Sequence, residues 1–136
     1  MSSGKFASLD IKDDYLKVLQ EKIKINSKMK VCLDCGNGVG GVIAPQAFKL
    51  LGLDVIELYS EVNGNFPNHH PDPSDPRNLK DLQKKVLDTN SDLGIALDGD
   101  GDRVGLIDNK GNIIFPDAYM MLLAEDLLKK KSKGSI

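Results

Sequence analysis

The sequence has little cysteine, little net charge and no long apolar run. Its two cysteines are too few to complete a structural zinc site. The net charge is −2 at pH 7, so the chain lacks the basic character typical of a nucleic-acid-binding protein. No apolar run approaches the roughly 20 residues that span a membrane, and the first residues contain no apolar signal region. We therefore expect a cytoplasmic protein with neither a nucleic-acid nor a membrane partner.

The overall composition is that of an ordinary globular protein. Of the 136 residues, 40% are hydrophobic and 28% are charged. A chain of this length can bury a core of its own. It contains no internal repeat. We therefore predict that residues 1–136 form a single domain.

The two cysteines, Cys32 and Cys35, form a C-x-x-C motif. A redox dithiol would place the second cysteine at the amino end of a helix, where its pKa is lowered. Here an apolar strand carries the motif, and a glycine-rich turn follows it. We therefore interpret both cysteines as reduced and mostly buried.

Apolar runs with strand character alternate with segments of helical periodicity. The predicted strands cover residues 30–34, 54–59, 93–97, 104–107 and 112–115. The predicted helices run from about residue 9 to 23, from 42 to 51 and from 116 to 130. A further helix is predicted to begin with Ser74 as its cap, and its apolar face comprises Leu79, Leu82, Val86 and Leu87. This order predicts a three-layer α/β/α domain with a mixed, mainly parallel sheet and a C-terminal hairpin.

A glycine-rich segment, GNGVGG at residues 36–41, follows the first strand. It matches the G-x-G-x-x-G pattern of dinucleotide-binding proteins, and Glu57 lies at a suitable distance for a ribose-binding acid. The pattern alone is weak evidence, because close packing between a strand and a helix also requires glycines. We favour the structural interpretation.

A second loop, NFPNHHPDP at residues 65–73, is stiffened by three prolines. Its length suggests a functional role. His69 and His70 are candidate ligands, but adjacent residues seldom face one site. Because Asn, Asp and Pro are turn formers, hydrogen bonds that shape the loop are the favoured role.

The segment 98–103, DGDGDR, places three aspartates at the end of a buried strand. Alternate residues of an extended segment point to one side, so Asp98, Asp100 and Asp102 can converge. Three close carboxylates repel one another, and a divalent cation would remove that cost. Oxygen ligands suit Mg²⁺, Mn²⁺ or Ca²⁺. Arg103 adds a permanent positive charge with forked donors that suit phosphate.

Three other interpretations of this segment agree less well with its residues than a metal site does. A plain hairpin turn needs one Asp-Gly pair and not three alternating aspartates. A calcium EF-hand needs Gly at loop position 6 and Glu at position 12, where this chain has Arg103 and Asn109. A haloacid-dehalogenase-type phosphatase usually has Thr or Val two places after the second aspartate, where Asp102 stands here. The metal-site interpretation agrees best with the residues.

Three segments taken together resemble the second domain of bacterial phosphomannomutase/phosphoglucomutase, in the α-D-phosphohexomutase superfamily. They are VCLDCGNGVGG at 31–41, NFPNHHPDP at 65–73 and DGDGDR at 98–103. The order and spacing match from about residue 9 to residue 130. The second segment points to the mannose/glucose branch, although phosphoglucosamine mutases share the third.

The resemblance implies a four-domain enzyme that interconverts hexose 1-phosphate and hexose 6-phosphate, with residues 1–136 as one α/β domain of it and residues 1–25 as a linker helix. It implies a phosphoserine in the first domain and a bisphosphorylated sugar intermediate. It also implies Mg²⁺ bound by Asp98, Asp100 and Asp102, with Arg103 in the active site. The phosphoserine, sugar-binding and phosphate-clamping segments of such enzymes are absent from this sequence, so the chain alone is predicted to be inactive. The alternative is a free-standing, non-catalytic module that binds a divalent metal or a nucleotide.

Overall fold

The computed structural model describes residues 4–130, which contain four α-helices and one five-stranded sheet. The helices are α1 (Lys12–Lys22), α2 (Ala44–Leu50), α3 (Lys80–Thr89) and α4 (Pro116–Lys130). The strands are β1 (Lys30–Asp34), β2 (Asp54–Leu58), β3 (Leu93–Leu97), β4 (Val104–Asp108) and β5 (Ile113–Ile114). Within residues 4–130, every helix is too short or too polar to cross a bilayer.

The sheet has the strand order β2-β1-β3-β4-β5. Strand β1 pairs in parallel with β2 and β3, whereas β4 runs antiparallel to both β3 and β5. All strands except β4 therefore point in one direction. This arrangement confirms the predicted mixed, mainly parallel sheet with a C-terminal hairpin.

Helices α2 and α3 lie on opposite faces of the sheet. The connection through α2 leads from β1 to β2, and the connection through α3 leads back across β1 to β3. Right-handed crossovers in opposite directions place their helices on opposite faces. The core beneath α3 comprises Cys32, Leu79, Leu82, Val86, Ala96 and Ile107. The three-layer α/β/α architecture is thus confirmed.

Three predicted helix starts were too early. Helix α1 begins at Lys12 and not near residue 9, and at the other two starts a 3₁₀ turn precedes the α-helix. Residues Val39–Val42 form one such turn, and α2 begins at Ala44 with a proline in its first turn. Residues Pro76–Leu79 form the other, and it is capped by Asp75 and not by Ser74. The Asp75 side chain accepts a hydrogen bond from the Arg77 amide at 2.9 Å, which satisfies a free N–H group at the turn start.

One residue of the predicted apolar face of α3 is not buried. Leu79, Leu82 and Val86 are buried, whereas 51% of Leu87 is exposed. Leu87 lies next to Val86 on the helix, about 100° around its axis, and its side chain lies beside Gly111 and outside the core.

Helix α4 leaves much of its apolar surface uncovered. Its exposed apolar side chains are Met120, Met121, Leu122, Leu123, Leu127 and Leu128, each at least 46% exposed. A helix that is apolar on several sides is normally buried by other protein segments. Within residues 4–130, this surface of α4 has no such cover.

Candidate metal and phosphate site

The aspartate loop, residues 98–103, joins β3 to β4 at the carboxyl end of β3. Leu97 and Val104 face each other in the antiparallel pair, so the loop closes a hairpin. The Asp98 carboxylate fixes the closure, because its Oδ1 accepts a hydrogen bond from the Arg103 amide at 3.0 Å. Gly101 has φ +78°, a conformation that other residues rarely adopt. The segment is therefore a hairpin loop, and it carries all three predicted ligands.

The three carboxylates converge as the alternation predicts. One oxygen each from Asp98, Asp100 and Asp102 lies within 4.8 Å of the others. Asp98 is buried, whereas Asp100 and Asp102 are exposed to solvent. The charge of Asp100, and then that of Asp98, raises the pKa of Asp102. The cluster therefore carries an electrostatic cost that a hard cation bound to these oxygens would relieve.

Arg103 lies against this cluster and joins it to a second loop. Its Nε donates to Asp98 Oδ2 at 2.8 Å, and its Nη1 donates to Asp72 Oδ1 at 3.1 Å. Burial tends to raise the pKa of Asp98, but the hydrogen bonds from Arg103 outweigh this effect and lower it. The Arg103 side chain remains 57% exposed, so its guanidinium can reach a ligand from solvent.

The glycine-rich segment 36–41 packs against the backbone of the aspartate loop. The Val39 amide donates to the Gly99 carbonyl at 3.0 Å. A Cβ atom on Gly38 would lie 2.7 Å from that same carbonyl oxygen, and a Cβ atom on Gly41 would lie 2.0 Å from the Ser60 carbonyl oxygen. Close approach of backbones explains these glycines.

Two further observations favour the structural interpretation of the glycine segment over a dinucleotide site. The last residues of the segment themselves form the 3₁₀ turn Val39–Val42, and α2 begins only at Ala44, so the α-helix does not open on the glycines. Glu57, the candidate ribose-binding acid, accepts a hydrogen bond from Lys49 Nζ at 2.6 Å.

The two histidines of the loop 65–73 diverge. His69 Nε2 lies 3.0 Å from Asp34 Oδ2, and His69 Nδ1 lies 2.9 Å from the His70 carbonyl oxygen. A carbonyl can only accept, so Nδ1 carries a proton. The side chain of His70 is exposed. The favoured loop-shaping role therefore agrees with the structure for His69, and the pair does not face one site.

Pro71 of the same loop packs between the other two loops. A Cβ atom on Gly36 would lie 3.0 Å from Pro71 Cβ, and one on Gly99 would lie 3.4 Å from Pro71 Cγ. The loops that follow β1, β2 and β3 thus form one connected edge of the sheet.

The roles of Asp34 and Asp72, the carboxylates that bind His69 and Arg103, were not predicted from the sequence. Both occur within segments that carry the family resemblance, which was a usable signal. Their partners lie 35 and 31 positions away in sequence, so no local pattern pairs them.

Both cysteines are free and buried, as predicted. Burial is the main cause that raises the pKa of Cys35, to about 11. A redox dithiol needs the opposite shift, because the thiolate is the reactive form. The C-x-x-C motif therefore belongs to the core and not to a redox site.

The loops that form this site lie within a segment that matches a known protein family. Residues 13–111 match the family described as phosphoglucomutase/phosphomannomutase, alpha/beta/alpha domain II. The match includes the glycine-rich segment, the proline-rich loop and the aspartate loop.

The chain spans less than a third of the length of the relatives that it matches. The chain is 53% identical over 133 residues to phosphomannomutase/phosphoglucomutase of Pseudomonas aeruginosa and 48% identical over 136 residues to that of Pseudomonas putida. It covers 29% of each relative, while 98% and 100% of the chain are matched. A crystal structure of a phosphoglucomutase/phosphomannomutase family protein from Burkholderia thailandensis superposes with a TM-score of 0.90 at 44% identity. That match covers 94% of this chain and 28% of the other.

Proposed function

Because the chain belongs to the phosphoglucomutase/phosphomannomutase domain II family, we propose that it is the magnesium-binding domain of a phosphohexomutase. The complete enzyme interconverts hexose 1-phosphate and hexose 6-phosphate through a phosphoserine and a bisphosphorylated sugar. The observation that carries this proposal is the convergence of three carboxylates beside the exposed guanidinium of Arg103. This arrangement provides a cation site and a phosphate contact at one edge of the sheet.

The proposed ligands of Mg²⁺ are Asp98, Asp100 and Asp102. Their oxygens are of the kind that a hard divalent ion prefers, and they converge closely enough for one ion. Three carboxylates and one divalent ion leave a charge of about −1, which Arg103 brings near zero. A bound ion would neutralise negative charge on a phosphoryl group during its transfer.

Arg103 is the proposed catalytic residue of this domain. Its Nε and Nη1 atoms are engaged by Asp98 and Asp72, whereas Nη2 makes no hydrogen bond within residues 4–130. That nitrogen lies on a side chain that is more than half exposed. A guanidinium keeps its charge at every working pH, so the free donors suit the phosphate of a hexose phosphate.

The rest of the enzyme lies outside this chain, which spans 29% of the relatives' length. We propose that residues 1–136 are one domain of a four-domain cytoplasmic enzyme, with residues 1–25 as its linker helix. The other domains supply the phosphoserine and the sugar-binding loops. The uncovered apolar surface of α4 supports this proposal, because further domains would bury it.

The test is mutase activity of the full-length polypeptide that contains this chain. Glucose 1-phosphate and mannose 1-phosphate are supplied with Mg²⁺ and a trace of hexose bisphosphate, which also ranks the two sugars. Asp100→Asn is assayed in parallel, because it removes one ligand charge from an exposed position. Asp88→Asn is the matched control, since it makes the same change on an exposed residue of α3, away from the aspartate loop.

We expect turnover by the full-length protein, a large loss in Asp100→Asn, and little change in Asp88→Asn. The 136-residue chain alone should show no turnover and weak metal affinity, because it lacks the phosphoserine. Unchanged turnover in a folded Asp100→Asn protein would show that the loop is structural. Absence of turnover with every hexose phosphate would favour the alternative of a non-catalytic binding module.

A further inference from the structure

Two carboxylates from different loops hold the guanidinium of Arg103. Asp98 is close in sequence and accepts from Nε at 2.8 Å. Asp72 lies 31 positions earlier and accepts from Nη1 at 3.1 Å. Asp72 is outside the aspartate loop, and the proposed function gives it no role.

Asp72 is itself held rigidly. Its Oδ1 also accepts hydrogen bonds from the amide of Ser74 at 3.1 Å and from the Ser74 hydroxyl at 2.7 Å. Its backbone carbonyl accepts from Asn78 Nδ2 at 2.9 Å. Hydrogen bonds from Ser74 lower the pKa of Asp72, so the group is a carboxylate at neutral pH. The acceptor that meets Arg103 therefore has a fixed position and a full charge.

The segment that carries Asp72 is anchored to the sheet. His69 binds the buried Asp34 at the end of β1, with only 13% of the histidine side chain exposed. Pro71, which is buried, packs against the positions of Gly36 and Gly99. The position of Asp72 is thus defined by the same strand ends that define the aspartate loop.

We infer that Asp72 is a positioning residue for Arg103: it fixes the plane of the guanidinium so that the Nη2 edge faces a bound phosphate. The inference rests on the proposed function of Arg103. One contact at Nε leaves the long arginine side chain free to pivot, whereas a second contact at Nη1 fixes the plane. The fixed guanidinium presents its remaining N–H groups without having to be ordered when a substrate binds.

The competing explanation is an ordinary exposed ion pair, which would contribute little to stability and nothing to turnover. The two explanations differ in whether the effect of Asp72 depends on Arg103. If Asp72 acts through Arg103, its removal has no further consequence once Arg103 is gone. If it only stabilises the loop, its removal has the same consequence with or without Arg103.

The experiment is a double-substitution cycle in the full-length polypeptide. The variants are Asp72→Ala, Arg103→Ala and the combination of both, with kcat and KM measured for each hexose 1-phosphate. Asp75→Ala is the matched control, because Asp75 lies three positions after Asp72 in the connection from β2 to α3 and also accepts backbone and arginine hydrogen bonds, but pairs with Arg77.

We expect Asp72→Ala to lower kcat/KM about tenfold in the wild-type background, because a misplaced group is less effective. In the Arg103→Ala background the same substitution should change kcat/KM by less than about twofold. Asp75→Ala should leave kcat/KM within about twofold of wild type. An equal loss in both backgrounds, or no loss in either, would overturn the inference.

A second measurement does not depend on turnover. The chain contains only two arginines, Arg77 and Arg103, so the guanidinium signals in a nitrogen-15 NMR spectrum are readily assigned. In the wild-type chain, the hydrogen bond from Nη1 to Asp72 should slow rotation of the Arg103 guanidinium, so its Nη protons should give separate signals. These signals should merge in Asp72→Ala but persist in Asp75→Ala; persistence in Asp72→Ala would contradict the inference. If the full-length enzyme has no activity, the proposed function fails, and this spectrum still decides whether Asp72 holds Arg103.

Discussion

His69 Nε2 lies 3.0 Å from Asp34 Oδ2, and this contact ties the proline-rich loop to the buried end of β1. Asp34 is only 1% exposed at its side chain, and its other oxygen accepts from the Gly36 amide at 2.8 Å. His69 also donates from Nδ1 to the His70 carbonyl. With Nδ1 protonated, a second proton on Nε2 makes the ring an imidazolium that pairs with the Asp34 carboxylate.

Removing the histidine from this pair should destabilise the chain. His69→Ala leaves the buried Asp34 without its partner, so we expect a loss of about 3 kcal/mol in the free energy of unfolding. The measurement is urea denaturation of the 136-residue chain. His70→Ala is the matched control, because its side chain is exposed, and it should change the free energy by less than about 0.5 kcal/mol. Equal effects of the two substitutions would show that the contact with Asp34 contributes little.

The same pair should make stability depend on pH. The hydrogen bond to Asp34 is the largest cause that raises the pKa of His69, burial opposes it, and the His70 carbonyl adds to it. Asp81, which binds Tyr59 beside the His69 ring, raises it further. A histidine pKa that is raised on folding contributes stability below the unfolded value of about 6.5. That contribution is lost as the pH rises through the folded value.

The measurement is urea denaturation of wild type and His69→Ala at about pH 6 and about pH 9. The stability difference between the two proteins should be larger at the lower pH. A difference that stays constant, or that grows toward the higher pH, would show that His69 is not an imidazolium in the folded chain.

Gly41 should not tolerate any side chain. A Cβ atom there would lie 2.0 Å from the Ser60 carbonyl oxygen, which is backbone and cannot move aside cheaply. We expect Gly41→Ala to destabilise the chain by about 1–3 kcal/mol through overpacking. Gly64→Ala is the matched control, since nothing lies within 4 Å of the position of its Cβ atom. Thermal unfolding of both variants checks the prediction, and a neutral Gly41→Ala would argue against close loop packing.

Local patterns predicted the elements of the fold well and their starts less well. The bounds of β1 and β3 agree with the predicted segments because each strand has an uninterrupted apolar centre of at least three residues. The cap of the 3₁₀ turn before α3 was assigned to Ser74, because serine and aspartate are about equally good caps and the two residues are adjacent. Only the folded backbone shows that the Asp75 side chain reaches the Arg77 amide.

The candidate site was predictable where its residues are close in sequence. Asp98, Asp100 and Asp102 alternate along one loop, so their convergence follows from the geometry of an extended chain. The contacts of Asp34 and Asp72 were not predictable, because they join loops that only the order of the strands brings together.

Magnesium should stabilise the chain through the aspartate loop. The three carboxylates repel one another in the folded chain, and this repulsion raises the pKa of Asp102. A cation that binds the folded chain and not the unfolded chain adds on the order of 1 kcal/mol at roughly ten times its dissociation constant. We therefore expect millimolar Mg²⁺ to raise the Tm of the 136-residue chain by a few degrees.

Two variants separate specific binding from general screening of charge. Asp100→Asn should abolish the rise in Tm, because it removes the charge of one proposed ligand, which is also the largest single cause of the raised pKa of Asp102. Asp88→Asn, which makes the same change in charge on α3, should leave the rise intact. Sodium chloride at equal ionic strength should produce little of the effect, since screening acts on all exposed charges alike. A rise that survives in Asp100→Asn would mean that Mg²⁺ acts elsewhere on the chain.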